Sequence, residues 1–160
     1  MSFLVANADL DLAITRPMAV SPMQLWQALT QADLVKQWWC PRPWTTPICD
    51  IDLRPGGIFH TVMQSPEGEQ FAYPGCILEI VPERRLIMSM ALGSGFRPLA
   101  LLPDLPITVV MEIEPAIGGV NYRARALHRD ITERKKHEEM GFFNGWGTMV
   151  EQLEAVVKAQ

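Results

Sequence analysis

Apolar and polar residues alternate along most of this chain, and the spacing lengthens to a helical period near its end. Leu10, Leu12 and Ile14 fall on one side of Asp9 to Thr15, which predicts a strand. Ser21, Pro22 and Gln24 then form a helix start: an N-cap, a proline at the first helical position and the third residue of a capping box. Leu25, Trp26, Ala28 and Leu29 supply that helix's apolar face, and a second short helix is expected from Asp33 to about Trp38-Trp39, before Pro41 and Pro43.

From Thr45 the period is two. Cys49, Ile51 and Leu53 alternate with Asp50 and Asp52 up to a turn at Pro55-Gly56-Gly57. Ile58 to Gln64 predicts the next strand, and Pro66-Glu67-Gly68 a hairpin turn. Phe71 to Val81 and Arg85 to Ala91 follow as two strands, and Leu92 to Pro106 is irregular. Leu105 to Glu114 and Val120 to Arg129 make a last hairpin. From Asp130 or Thr132 to about Lys158 one long helix is expected, with Phe142, Trp146, Met149, Val150, Leu153 and Val157 as its apolar stripe. Gly141, Gly145 and Gly147 each weaken it by about 1 kcal/mol relative to alanine, which points to a bend or a close backbone approach.

The order is strand, two short helices, about six strands and a long helix. Successive strands with short turns favour an antiparallel meander, and the helix must bury its stripe against that sheet. The fold class is α+β, in one domain over residues 1–160 with no linker or repeat. Alternation also assigns faces. Phe59, Thr61 and Met63 share one side, as do Ala72, Cys76, Leu78 and Ile80, then Leu86, Met88 and Met90. Val109, Met111 and Ile113, with Tyr122, Ala124, Ala126 and His128, complete the inner face. Glu79, Glu112, Glu114, Arg123 and Arg125 point to solvent.

Composition narrows the function classes. A net charge of −4 argues against a nucleic-acid surface, and Arg123, Arg125 and Arg129 read as a solvated strand face. The three cysteines, Cys40, Cys49 and Cys76, have no close pairing, and neither a secretion signal nor a membrane span is visible, so a cytoplasmic location is expected. No catalytic constellation or phosphate loop is present, since Gly56-Gly57 leads into a strand and not a helix. His128, Asp130, Glu133, His137 and Glu138 lie close in sequence but lack a ligand spacing, so no metal and no cofactor is predicted.

Trp26, Trp38-Trp39, Asp52-Leu53-Arg54-Pro55-Gly56-Gly57 with Phe59, and Gly75 to Pro82 leading to Arg85-Leu86 together resemble the START-like (SRPBCC) superfamily. Gly95-Phe96-Arg97-Pro98, Tyr122 with His128, and His137-Glu138-Glu139-Met140-Gly141-Phe142 leading to Gly145-Trp146 extend the likeness from about Leu12 to Val157. The chain is most similar to the branch of activators of the heat-shock-protein-ninety ATPase and its bacterial stand-alone members. That resemblance implies a helix-grip fold, a curved antiparallel sheet wrapped around the C-terminal helix with a cavity between them.

The inner methionines serve equally to fill a core or to line an adaptable pocket. With the resemblance, the reading is a binding protein for a small hydrophobic or aromatic molecule, lined by Trp38, Phe59, Met88, Met111, Tyr122, His128, Phe142 and Trp146. His128 is either a ligand-facing acid-base group or a satisfied structural one. Two alternatives remain: a cyclase- or hydrolase-like enzyme using His128, and a co-chaperone-like interaction module. The apolar segment Phe96 to Leu102 would close the cavity mouth, pair with a second copy or bind a protein partner.

Overall fold

The computed structural model describes residues 5–160. Strand β1 (Asp11–Met18) leads to helices α1 (Pro22–Thr30) and α2 (Ala32–Val35). Seven strands follow: β2 (Thr45–Ile51), β3 (Phe59–Gln64), β4 (Gln70–Tyr73), β5 (Cys76–Val81), β6 (Arg85–Ser89), and the two-residue strands β7 (Leu92–Gly93) and β8 (Arg97–Pro98). The hairpin β9 (Thr108–Ala116) and β10 (Gly119–Leu127) precedes helices α3 (Ile131–Glu139) and α4 (Phe142–Lys158). The architecture is α+β: curved antiparallel sheet, two short helices after the first strand, and a C-terminal helix.

Antiparallel pairing runs β1-β10-β9-β6-β5 in one sheet and β2-β3-β4 in another. The sheets are stitched where the Phe59 N–H donates to the Gly75 carbonyl at 2.8 Å and the Ile77 N–H to the Gly57 carbonyl at 2.9 Å. The expected single strand from Phe71 to Val81 is therefore two strands, one in each sheet. Pro74 has no N–H to continue a ladder. A Cβ at Gly75 would stand 2.8 Å from the Phe59 carbonyl oxygen, so the seam needs glycine there.

The core lies between the large sheet and the helices. Leu86 and Met88 on β6, Val109, Met111 and Ile113 on β9, and Tyr122, Ala124 and Ala126 on β10 are buried as alternation predicts. Three assignments differ. A register shift between Ile77 and Glu79 turns Ile77 into the core, where it is fully buried, and leaves Leu78 half-buried. A bulge of this kind inverts the alternation beyond it. Ala72 is exposed, because Thr61 and Met63 face Tyr73 and Phe71 across the β3–β4 ladder. Arg125 is buried instead of solvated, with its guanidinium 3.1 Å from Glu112.

Local signals set the helix starts. Ser21 accepts from the Gln24 N–H at 3.1 Å while the Gln24 side chain accepts from the Ser21 N–H at 3.3 Å, a complete capping box. The α3 helix is capped by Asp130, which accepts from the Glu133 N–H at 2.8 Å. The expected long helix is broken in two, since Gly141 has φ +98°, a left-handed conformation that ends α3 and redirects α4. Beyond the break, Gly147 lies beside Ile14 Cδ1, where a Cβ would be 3.6 Å away, so α4 packs close to β1.

Candidate functional site

Between the large sheet, the Trp38-Trp39 corner and the two C-terminal helices is a cavity of about 380 Å³. Its sheet wall is Val109 and Met111 on β9 with Tyr122 and Ala124 on β10; Met63, Tyr73 and Met90 add a second side. The helices contribute His137 and Met140, then Trp146, Met149 and Val150, and Asp104, Leu105 and Ile107 form a third edge. Tyr122, Met111 and Val109 are buried at the floor, whereas Asp104 and Met140 are exposed, so the cavity reaches the surface between them. A lining dominated by apolar and aromatic side chains with a few polar groups is the usual makeup of a small-molecule site.

The tryptophan corner is held by side chain to backbone bonds. Trp38 Nε1 donates to the Ala28 carbonyl at 2.8 Å, fixing the indole against α1. From α4, the buried Gln152 amide donates to the carbonyls of Trp38 at 3.1 Å and Cys40 at 2.9 Å, and accepts from the Arg42 N–H at 3.0 Å. This one side chain satisfies three backbone groups of a buried loop, which would otherwise carry a desolvation cost. Sequence reasoning missed it, because a lone glutamine in a helical stripe looks like any polar interruption.

Of the eight residues expected to line a pocket, Trp38, Met111, Tyr122 and Trp146 border this cavity. Phe59, Met88, His128 and Phe142 lie in the surrounding core. Phe59 stands behind Trp39, their ring centroids 5.2 Å apart, and Phe142 backs Trp146 at 4.6 Å and His137 at 5.2 Å. Met88 is fully buried on β6, and Met90, two residues on and just past the end of that strand, takes the cavity position.

The histidine at the cavity is His137. His128 Nδ1 sits 2.8 Å from the Leu10 carbonyl and its Nε2 sits 2.8 Å from His137 Nδ1, so both nitrogens of His128 are occupied. Of the two readings of His128, the structural one describes this environment. Burial, and secondarily the neighbouring His128, lower the His137 pKa to about 4, so the ring is uncharged near neutral pH. The Tyr122 hydroxyl hydrogen-bonds no other described residue, and burial alone pushes its phenol up. Tyr73 is also raised, by burial and then by the charge of Asp104.

The other candidates are accounted for by neighbours. Asp130 caps α3, Glu133 pairs with Arg129 and Glu138 with Arg134 at 2.7 Å, and among the described residues no three potential ligands converge. Cys40 shares a hydrogen bond with Thr46 Oγ1 at 3.2 Å, and burial raises its pKa. Burial, then the charge of Asp50, raises Cys49 to about 11, so neither thiol is primed as a nucleophile. The Phe96 to Leu102 segment does not border the cavity. The Phe96 ring covers Gly56, and Leu101 and Leu102 are exposed; the mouth is formed by the residues just beyond them.

Residues 19–158 match the family model described as Activator of Hsp90 ATPase homolog 1-like protein. The chain belongs to that family. Its structural relatives include protein NE0264 from Nitrosomonas europaea, 45% identical with a TM-score of 0.92 over 96% of this chain and 97% of the other. A protein from Rhodobacter sphaeroides is 23% identical with a TM-score of 0.80, covering 95% and 94% of the two chains. Protein Ms6760 from Mycobacterium smegmatis is 24% identical with a TM-score of 0.77, covering 95% and 93%. The last two share the fold. No curated protein sequence matches the chain significantly. Membership in the Hsp90-activator-like family accounts for the sheet-and-helix frame around the cavity, and leaves its contents to be argued from the lining itself.

Proposed function

We propose that this protein is a one-domain binding protein that holds a small hydrophobic or aromatic molecule in the cavity between the sheet and the C-terminal helices. The observation that carries this reading is a space of about 380 Å³ walled by Trp38, Trp39, Trp146, Met111 and Met149, and lined also by Tyr122, whose hydroxyl bonds no other described residue. That volume corresponds to about a dozen waters at ~30 Å³ each, which such a wall would hydrate poorly. The engagement of both His128 nitrogens weighs against the cyclase- or hydrolase-like alternative, which had taken His128 as its acid-base group. The three unpaired, buried cysteines favour a reducing compartment, so a cytoplasmic setting is part of the proposal. Among the described residues no helix is long and apolar enough to cross a membrane.

Titration with N-phenyl-1-naphthylamine, whose fluorescence rises in apolar surroundings, tests the reading. One probe per chain should bind, by fluorescence and by native mass spectrometry, and Ala124→Leu should weaken binding about tenfold or more by occupying part of the space. Equal binding to the wild type and to Ala124→Leu would sink the proposal.

A further inference from the structure

The hydrogen-bond chain behind the cavity fixes which partner a ligand must supply, an inference that rests on the binding function proposed above. A carbonyl oxygen can only accept, and the Leu10 carbonyl lies 2.8 Å from His128 Nδ1, so in an uncharged ring that nitrogen carries the proton. His128 Nε2 is then a bare acceptor. It lies 2.8 Å from His137 Nδ1, which must be the donor. An uncharged His137 has one proton, now committed to His128, and its Nε2 is left as an acceptor with no partner among the described residues.

The rest of the lining limits the ligand's charge. The other ionisable groups bordering the cavity are Tyr73, Tyr122 and Asp104, and no lysine or arginine lines it among the described residues. An anion would enter with no counter-charge, and burying an unpaired charge is costly. Asp104 is the single carboxylate, on the exposed rim and away from the buried floor. The aromatic walls of Trp38, Trp39 and Trp146 favour a flat body.

We propose that the preferred ligand is an uncharged aromatic molecule bearing a hydroxyl group, which donates its O–H to His137 Nε2, while the unpaired Tyr122 hydroxyl provides a second polar contact. His128 acts as a positioning residue: it never meets the ligand but selects the His137 tautomer that can accept.

The full chain at pH 8, above the ordinary imidazole range, is titrated calorimetrically with 1-naphthol, 1-methoxynaphthalene and 1-naphthylmethylamine. Naphthol should bind about tenfold tighter than its methyl ether, the worth of one net hydrogen bond. His137→Phe should erase that preference, so that naphthol and its ether bind that variant alike. Independently of any variant, ¹⁵N NMR of the wild-type imidazoles should show His137 protonated at Nδ1 and bare at Nε2. Equal affinity for naphthol and ether would overturn the inference and leave the cavity-binding reading standing. A His137 protonated at Nε2, or tightest binding of the amine with dependence on Asp104, would do the same. Failure of all three probes to bind would overturn the cavity reading as well.

Discussion

Ala124 sits on β10 with its methyl group at the cavity wall, while Ala126, two residues on and on the same face, is sealed in packed core away from it. Enlarging each to leucine adds the same three carbons to two different surroundings. At position 124 they enter empty space, where burial is worth about 0.8 kcal/mol per carbon, or roughly 2.4 kcal/mol in all. Ordering the leucine side chain costs about 0.5–1 kcal/mol, so Ala124→Leu should stabilise the fold by about 1–2 kcal/mol. Ala126 is 0% exposed and has no such space. Ala126→Leu must push its neighbours apart and should destabilise by about 1–3 kcal/mol. Urea unfolding followed by tryptophan fluorescence reads both, and with a slope near 2 kcal/mol per molar the midpoint should rise by about 0.5–1 M for Ala124→Leu and fall by about 0.5–1.5 M for Ala126→Leu. If Ala124→Leu lowers the midpoint as Ala126→Leu does, the space is not available to side chains and the reasoning fails.

Two further outcomes follow from the helix junction and its histidine. Gly141→Ala forces a side chain into φ +98° and should cost about 1–3 kcal/mol, with Gly141→Asn costing less because asparagine tolerates left-handed backbone; equal losses in urea unfolding would count against the conformational explanation. His137 has its folded pKa lowered to about 4 against an ordinary value of 6.5, so the unfolded chain binds more protons between those values. Its contribution to stability is intact above pH 6.5 and is lost as pH falls toward 4. The full shift would be worth about 3 kcal/mol at ~1.36 kcal/mol per unit, and partial solvent access to the ring reduces it to about 1–2 kcal/mol. The urea midpoint of the wild type should therefore fall relative to that of His137→Phe as pH drops through that window, and parallel curves would show that the imidazole is not held neutral.

What the chain's sequence determined was local in origin. The Ser21–Gln24 capping box lies within one turn, so its residues announce it wherever the helix goes. The inward sets on β6, β9 and β10 were legible because a strand with one buried face must alternate, and a slip of one residue would expose the whole set. The order of elements then left few ways to cover an apolar helix stripe. Gly141 was visible as a weak point in the long helix, but a glycine reports only freedom, and packing of α4 against β1 decided that the freedom became a break.

Tertiary structure alone decided the rest. The bulge that exchanges Ile77 for Leu78 depends on where β6 pairs, and the division at Pro74-Gly75 on a second sheet approaching Phe59. His128 follows the end of β10 and His137 lies within α3, and only the fold brings their rings into contact and places His137 at the cavity. Phe59, Met88 and Phe142 have the same inward character as Met111 and Trp146, yet they fill core where the latter face space. Periodicity says which way a side chain points; whether anything stands opposite it is set by distant elements. A cavity is the volume those elements leave unfilled, and no single stretch of sequence encodes it.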